Sequence, residues 1–266
     1  MSKKIFVFTT GRAGSVTLFK LLSNEVSANV IHEGINKDAR IKITDFKDFN
    51  KKLFYKNNSW ILNDYTLSPS ANKHLEEIYA PRDSIIKKSK IYIDINPYQY
   101  MLTDYLKNKY PDAKFVQLIR NGYGVVNSYH KRLSTTYPDK PEGEYVGYQS
   151  GKPRPKFKNE FHFKNWDNYD RVSKISWFWA FVNARVYNCF KNHPNFFILK
   201  TENFSSYTPE LISETFNIDI NDTSILLKKH NKSNVKVEDI FDNKENIKKF
   251  NKIAGKTLIK FGYEIR

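Results

Sequence analysis

One stretch constrains this chain more than any other: IFVFTTGRAGSVTLFKLL, over Ile5–Leu22. A short apolar strand enters a loop that holds Gly11 and Gly14, and an apolar helix start follows. Arg12 sits between the glycines, and Ala13, Ser15, Val16 and Thr17 complete the loop and the first helical turn. Glycine lets a backbone approach a ligand closely, the first helical N–H groups point outward, and the helix dipole favours negative charge there. The pattern is not a Walker A motif, because no Gly-Lys-Ser/Thr is present. On its residues alone it is either an anion cradle or a strand-to-helix turn whose glycines serve geometry.

At 266 residues the chain is long enough to bury a core, and a single domain over 1–266 is expected. Hydrophobic residues make up 40% and aromatics 15%, which excludes a disordered chain. The opening MSKKIFVFTT lacks the length and the small-residue cleavage site of a signal peptide. No run approaches the roughly 18 apolar residues that span a bilayer. Cys189 is the sole cysteine, so no internal disulfide can form. These features lead us to expect a cytoplasmic protein. The formal charge of +16 suits an anionic partner, although lysines spread this evenly also describe a solvated surface.

Along the chain, strands are expected at Lys4–Thr9, Ala28–Ile31, Lys90–Ile95, Ala113–Ile119 and Asn195–Lys200. Helices are expected at Ser15–Ser23, Tyr98–Lys109, Gly122–Arg132, Asp170–Lys191, Pro209–Phe216 and Asn243–Gly262. This alternation predicts an α/β fold of three layers with a central parallel sheet, ligands lying at the carboxyl ends of its strands. Residues 36–90 are hard to read, and 134–168 include a proline- and glycine-rich loop. Both are expected to be insertions on the acceptor side.

A second motif is FVQLIRNGYGVVNSY, Phe115–Tyr129. A buried strand ends in Arg120, and Ser128 follows eight residues later. An arginine there can fork onto a phosphate, and the serine can donate to the same group from a helix face. Gly122-x-Gly124 lacks the third glycine of a dinucleotide fingerprint and is set aside.

Together these motifs resemble the sulfotransferase superfamily, whose sulfuryl donor is 3′-phosphoadenosine 5′-phosphosulfate, and the carbohydrate and bacterial types more than the small-phenol type. Trp179-x-x-x-Asn183 is similar to a family helix motif. Phe197–Phe204, FILKTENF, resembles the strand that ends in the family's Tyr-Glu-Asp-Leu, with Thr201 and Asn203 in place of Tyr and Asp. The closing KFGYE resembles the family's Leu-Gly-Tyr-Glu. The resemblance implies that Gly11, Arg12, Ala13, Gly14, Ser15, Val16 and Thr17 hold the 5′-phosphosulfate and that Arg120 and Ser128 hold the 3′-phosphate. Arg12 stands where the family neutralises charge on the leaving phosphate oxygen, and Ala13 and Val16 replace frequent hydroxyl residues. No metal is implied.

A base must take the acceptor's proton. Glu33 stands where the resemblance places a basic carboxylate, and His32 is its rival. Asp94 reads either as a second acceptor-side carboxylate or as a helix cap. The aromatic runs Phe157–Trp166 and Trp177–Phe181 read as stacking platforms or as core, the second more as core. Lys228–Lys236, a basic run, could reach the 3′-phosphate or be solvated. The acceptor is a hydroxyl compound, a glycan favoured, and nucleic acid is not expected. Two alternatives stay open: a non-catalytic basic protein binding nucleic acid or glycan, and a P-loop nucleotide kinase.

Overall fold

The structure, a computed structural model, describes residues 2–25, 27–35, 69–131, 155, 161–227 and 239–266. The basic run at 228–236 and the proline- and glycine-rich loop therefore lie almost wholly outside the described residues.

Among the described residues, five strands form one parallel sheet: β1 (Lys3–Phe8), β2 (Ala28–His32), β3 (Ile91–Asn96), β4 (Lys114–Ile119) and β5 (Phe196–Lys200). Their order is β2-β3-β1-β4-β5. Every pairing is parallel, with Phe6 opposite both Asp94 and Phe115. The expected strands are all present, each within one or two residues of its predicted ends.

The sheet is covered on both faces, which explains the unbroken apolar runs. Side chains alternate across a strand. Ile5 and Val7 enter an aliphatic cluster with Leu18, Leu21, Val30, Ile93, Val116, Leu199, Ile212 and Phe216. Phe6 and Phe8 turn to the other face, where Phe6 stacks on Tyr110 and Phe115, and Phe8 packs on Phe190. Phe115 and Phe190 stack at 4.2 Å between ring centroids. Burying one such ring contributes roughly 1.5–3 kcal/mol.

The helices among the described residues are α1 (Ser15–Leu22), α2 (Pro69–Lys88), α3 (Thr103–Lys109), α4 (Gly122–His130), α5 (Phe161–Asn165), α6 (Arg171–Phe190), α7 (Pro209–Phe216) and α8 (Lys244–Lys260). Two departures from expectation stand out. The single helix expected over Tyr98–Lys109 is a 3₁₀ turn at Gln99–Leu102 followed by α3. Helix α2 falls inside the stretch that could not be read. Its buried stripe is Tyr79, Arg82 and Ile86, so an arginine interrupts the apolar period.

By compactness the chain divides into two units. One comprises 1–119 and 185–232 and holds the sheet; the other comprises 120–184 and 233–266. In the second unit α4 and α8 pack through Tyr123 and Phe250, whose rings lie 4.3 Å apart. There the side chains of Trp177, Phe178 and Trp179 are buried, so the run Trp177–Phe181 is largely core.

Candidate functional site

In the sheet-bearing unit the loop between β1 and α1 carries three left-handed residues: Gly11 at φ 73°, Arg12 at φ 56° and Gly14 at φ 83°. Glycine accepts this at no cost, whereas arginine gives up about 1–2 kcal/mol. Strain held in a non-glycine residue is a mark of functional loops. The buried Thr9 and Thr10 brace the turn: the Gly11 N–H donates to Thr9 Oγ1 at 3.3 Å, and Thr10 Oγ1 donates to the Gly11 carbonyl at 2.9 Å.

Gly14 occupies the cap position of α1 and brings no side-chain cap. The first bond inside the helix runs from the Leu18 N–H to the Gly14 carbonyl. The N–H groups ahead of Leu18 therefore have no partner within the helix. No acidic residue lies in the first turn. A helix start without a capping oxygen or carboxylate suits an external anion.

Two neighbours shape this loop. Thr201, just past β5, donates from Oγ1 to the Ala13 carbonyl at 2.7 Å and also lies 3.2 Å from the Ile119 carbonyl. His32, the last residue of β2, places Nε2 3.1 Å from Ser15 Oγ. Burial pushes the His32 imidazole down to about 4, against an opposing pull from Asp94. At neutral pH it is therefore uncharged. Glu33 follows at φ 50°, its N–H donating to the Ile95 carbonyl at 3.2 Å, and it is exposed. The structure thus brings His32 onto the loop at Ser15 and leaves Glu33 in the adjoining turn.

Asp94 is neither an acceptor-side group nor a helix cap. It is fully buried, and its Oδ2 accepts from Arg82 Nε at 3.1 Å and from the Tyr92 hydroxyl at 3.0 Å. Its place in the alternation of β3 turns it inward, against the inner stripe of α2. The cap-like bond at the end of β3 belongs to Asn96, whose Oδ1 accepts from the Tyr98 N–H at 2.8 Å.

In the second unit Arg120 precedes α4. Asn121 caps that helix, its side chain accepting from the Tyr123 N–H at 3.0 Å. The Arg120 carbonyl accepts from the Trp179 indole N–H at 3.1 Å, which anchors the backbone. The Arg120 side chain lies over the first turn of α4. A Cβ on Gly124 would stand 3.1 Å from Nε and 3.3 Å from Nη2. Ser128 is four residues beyond Gly124 and so on the same helix face. The glycine pair set aside in the sequence thus has two separate reasons. Gly124 seats the guanidinium. At Gly122 a Cβ would stand 2.5 Å from Phe250 Cζ and 3.0 Å from Trp179 Cδ2. Asn183 Nδ2 donates to the Trp179 carbonyl at 2.8 Å, so Trp179-x-x-x-Asn183 is a bracing motif inside α6.

Sequence reasoning names Thr201 and Gly124 but gives neither a role in the site. The signal for Thr201 was its departure from the Tyr-Glu-Asp-Leu pattern. For Gly124 it was the glycine pair following an arginine.

No protein-family model matches this chain, and no curated protein matches it. Among solved structures it is similar to a crystal structure of a sulfotransferase from Alicyclobacillus acidocaldarius. The identity is 11% and the TM-score 0.48, over 99% of this chain and 97% of that one. Among the described residues, no helix is long and apolar enough to cross a membrane, and no group of three or more His, Cys, Asp or Glu side chains is placed to hold a metal ion.

Proposed function

We propose that this chain is a sulfotransferase that moves a sulfuryl group from 3′-phosphoadenosine 5′-phosphosulfate to a hydroxyl, with a carbohydrate as the favoured acceptor. The observation that carries the reading is the loop of Gly11, Arg12 and Gly14: three left-handed residues ahead of a helix start with no side-chain cap. The residues present suit the donor's 5′ end. Backbone N–H groups through Thr17 would surround its oxygens, and Arg12 would meet charge that builds on the leaving phosphate oxygen. Stabilising charge as it develops is commonly the largest catalytic contribution.

Arg120, seated by Gly124, and Ser128 on the same helix face would take the 3′-phosphate. In the reaction the acceptor oxygen forms the new S–O bond as the S–O bond to the phosphate breaks, and the acceptor proton leaves to a base. Glu33 is the better base. It is exposed in the turn after β2, whereas His32 is held against Ser15 with its basicity lowered by burial. His32 would then support Ser15 rather than take the proton. The positive charge of the chain favours an anionic donor electrostatically.

The test is transfer of radiolabelled sulfur from the donor to a panel of glycans and simple alcohols. Wild type should label at least one hydroxyl acceptor, and Glu33→Gln should retain donor binding while turnover falls by 10²-fold or more, the scale of general-base catalysis. Full turnover by Glu33→Gln would remove Glu33 from the mechanism. No labelling with any acceptor, together with no donor binding, would remove the function.

A further inference from the structure

We infer that Thr201 is a positioning residue that aims the Gly14 N–H at the donor's 5′ group; the inference rests on the function proposed above. A trans peptide points its C=O and N–H in opposite directions, and the chain has no cis peptides among the described residues. The Thr201 hydroxyl holds the Ala13 carbonyl at 2.7 Å. The Gly14 N–H belongs to that same peptide unit, so it points away from Thr201.

The rest of the threonine closes the same side. A Cβ on Gly14 would stand 3.1 Å from Thr201 Cγ2 and 3.1 Å from Phe204 Cε2. The peptide is thus held by a hydrogen bond at one atom and by packing at the next. The hydroxyl also lies 3.2 Å from the Ile119 carbonyl at the end of β4, so its position is fixed from two strand ends. A peptide that could rotate would present its carbonyl to an anion for part of the time. One side chain therefore determines whether that position of the loop attracts or repels the ligand.

The tyrosine of the related pattern cannot make this contact in the same way, because its hydroxyl sits at the far end of a ring. A β-hydroxyl is needed, which makes the residue type testable. Thr201→Val keeps the branch and the size but loses the donor. Thr201→Ser keeps the donor but loses the methyl.

Calorimetric titration of wild type and both variants with adenosine 3′,5′-bisphosphate and with adenosine 3′-monophosphate separates the outcomes. Thr201→Val should weaken the bisphosphate about five- to tenfold, the scale of one hydrogen bond. It should leave the 3′-monophosphate unchanged, and Thr201→Ser should bind both like wild type. A purely structural role would not be selective between the two nucleotides. Equal bisphosphate affinity in wild type and Thr201→Val, or an equal loss for both nucleotides, would overturn the inference and leave the function standing. Should Thr201→Val fail to fold, a Thr201→Ser protein with weakened bisphosphate binding would overturn it as well. A wild type that binds neither nucleotide would instead overturn the function on which the inference rests.

Discussion

The guanidinium of Arg120 lies against the Cα of Gly124, closely enough that a methyl group there would stand 3.1 Å from Nε. This relationship predicts opposite effects on stability and binding. Gly124→Ala should hold or raise stability, since alanine is favoured over glycine in a helix by about 1 kcal/mol. The same methyl should displace the guanidinium by a few tenths of an ångström and weaken adenosine 3′,5′-bisphosphate several-fold. Urea unfolding and calorimetric titration of one protein sample measure both. Loss of stability with unchanged affinity would contradict the seating role.

Gly122 predicts a simpler outcome. Its absent Cβ would be 2.5 Å from Phe250 Cζ and 3.0 Å from Trp179 Cδ2. Overpacking of this kind costs about 1–3 kcal/mol. Gly122→Ala should lower the urea midpoint by a corresponding amount, and Phe250→Leu in the same chain should recover part of it. A Gly122→Ala protein as stable as wild type would show that Phe250 yields freely.

The Arg82–Asp94 pair predicts a strong asymmetry between single and double variants. Both side chains are fully buried and their Nε–Oδ2 distance is 3.1 Å. Removing one partner leaves a buried charge uncompensated, at about 3–5 kcal/mol. Asp94→Asn should therefore be severely destabilised, and Arg82→Met with Asp94→Asn should be more stable than Asp94→Asn alone. Additive losses in chemical denaturation would contradict the coupling.

His32 predicts a pH dependence. Its folded-state value is lowered to about 4, below the ordinary 6.5, by burial. Between these values the unfolded chain binds the extra proton, so stability rises with pH there. The contribution is complete above about pH 6.5 and is lost as pH falls toward 4, on the order of 3 kcal/mol in all. The denaturant midpoint of wild type should therefore fall relative to that of His32→Gln as the pH falls from 7 to 4. Parallel curves across that range would contradict it.

Much of this architecture was legible because the strands are buried on both faces. KKIFVF and KFVQLI carry no polar alternation to confuse them with surface strands. Helix α7 begins and ends where expected, with Pro209 at its first position and Thr208 as its cap. The long α2 was not legible, because Arg82 stands where the apolar period needs a hydrophobe and only its pairing with Asp94 explains it. Asp94 is illegible for the same reason: a carboxylate on a strand gives no sign of a partner twelve residues earlier. The loop at Gly11–Thr17 was readable as a motif. What braces it was not, since Thr201 is 188 residues from Ala13 and its departure from the Tyr-Glu-Asp-Leu pattern names no partner.

The central claim is the proposal that this chain binds a nucleotide carrying phosphate at both its 3′ and 5′ positions. Calorimetric titration of the wild-type protein with adenosine 3′,5′-bisphosphate, against ADP, tests it most directly. A charge-assisted hydrogen bond contributes about 1.5–3 kcal/mol, so the bisphosphate should bind at least about tenfold more tightly than ADP. Equal affinity for the two, or no binding of the bisphosphate, would contradict the account.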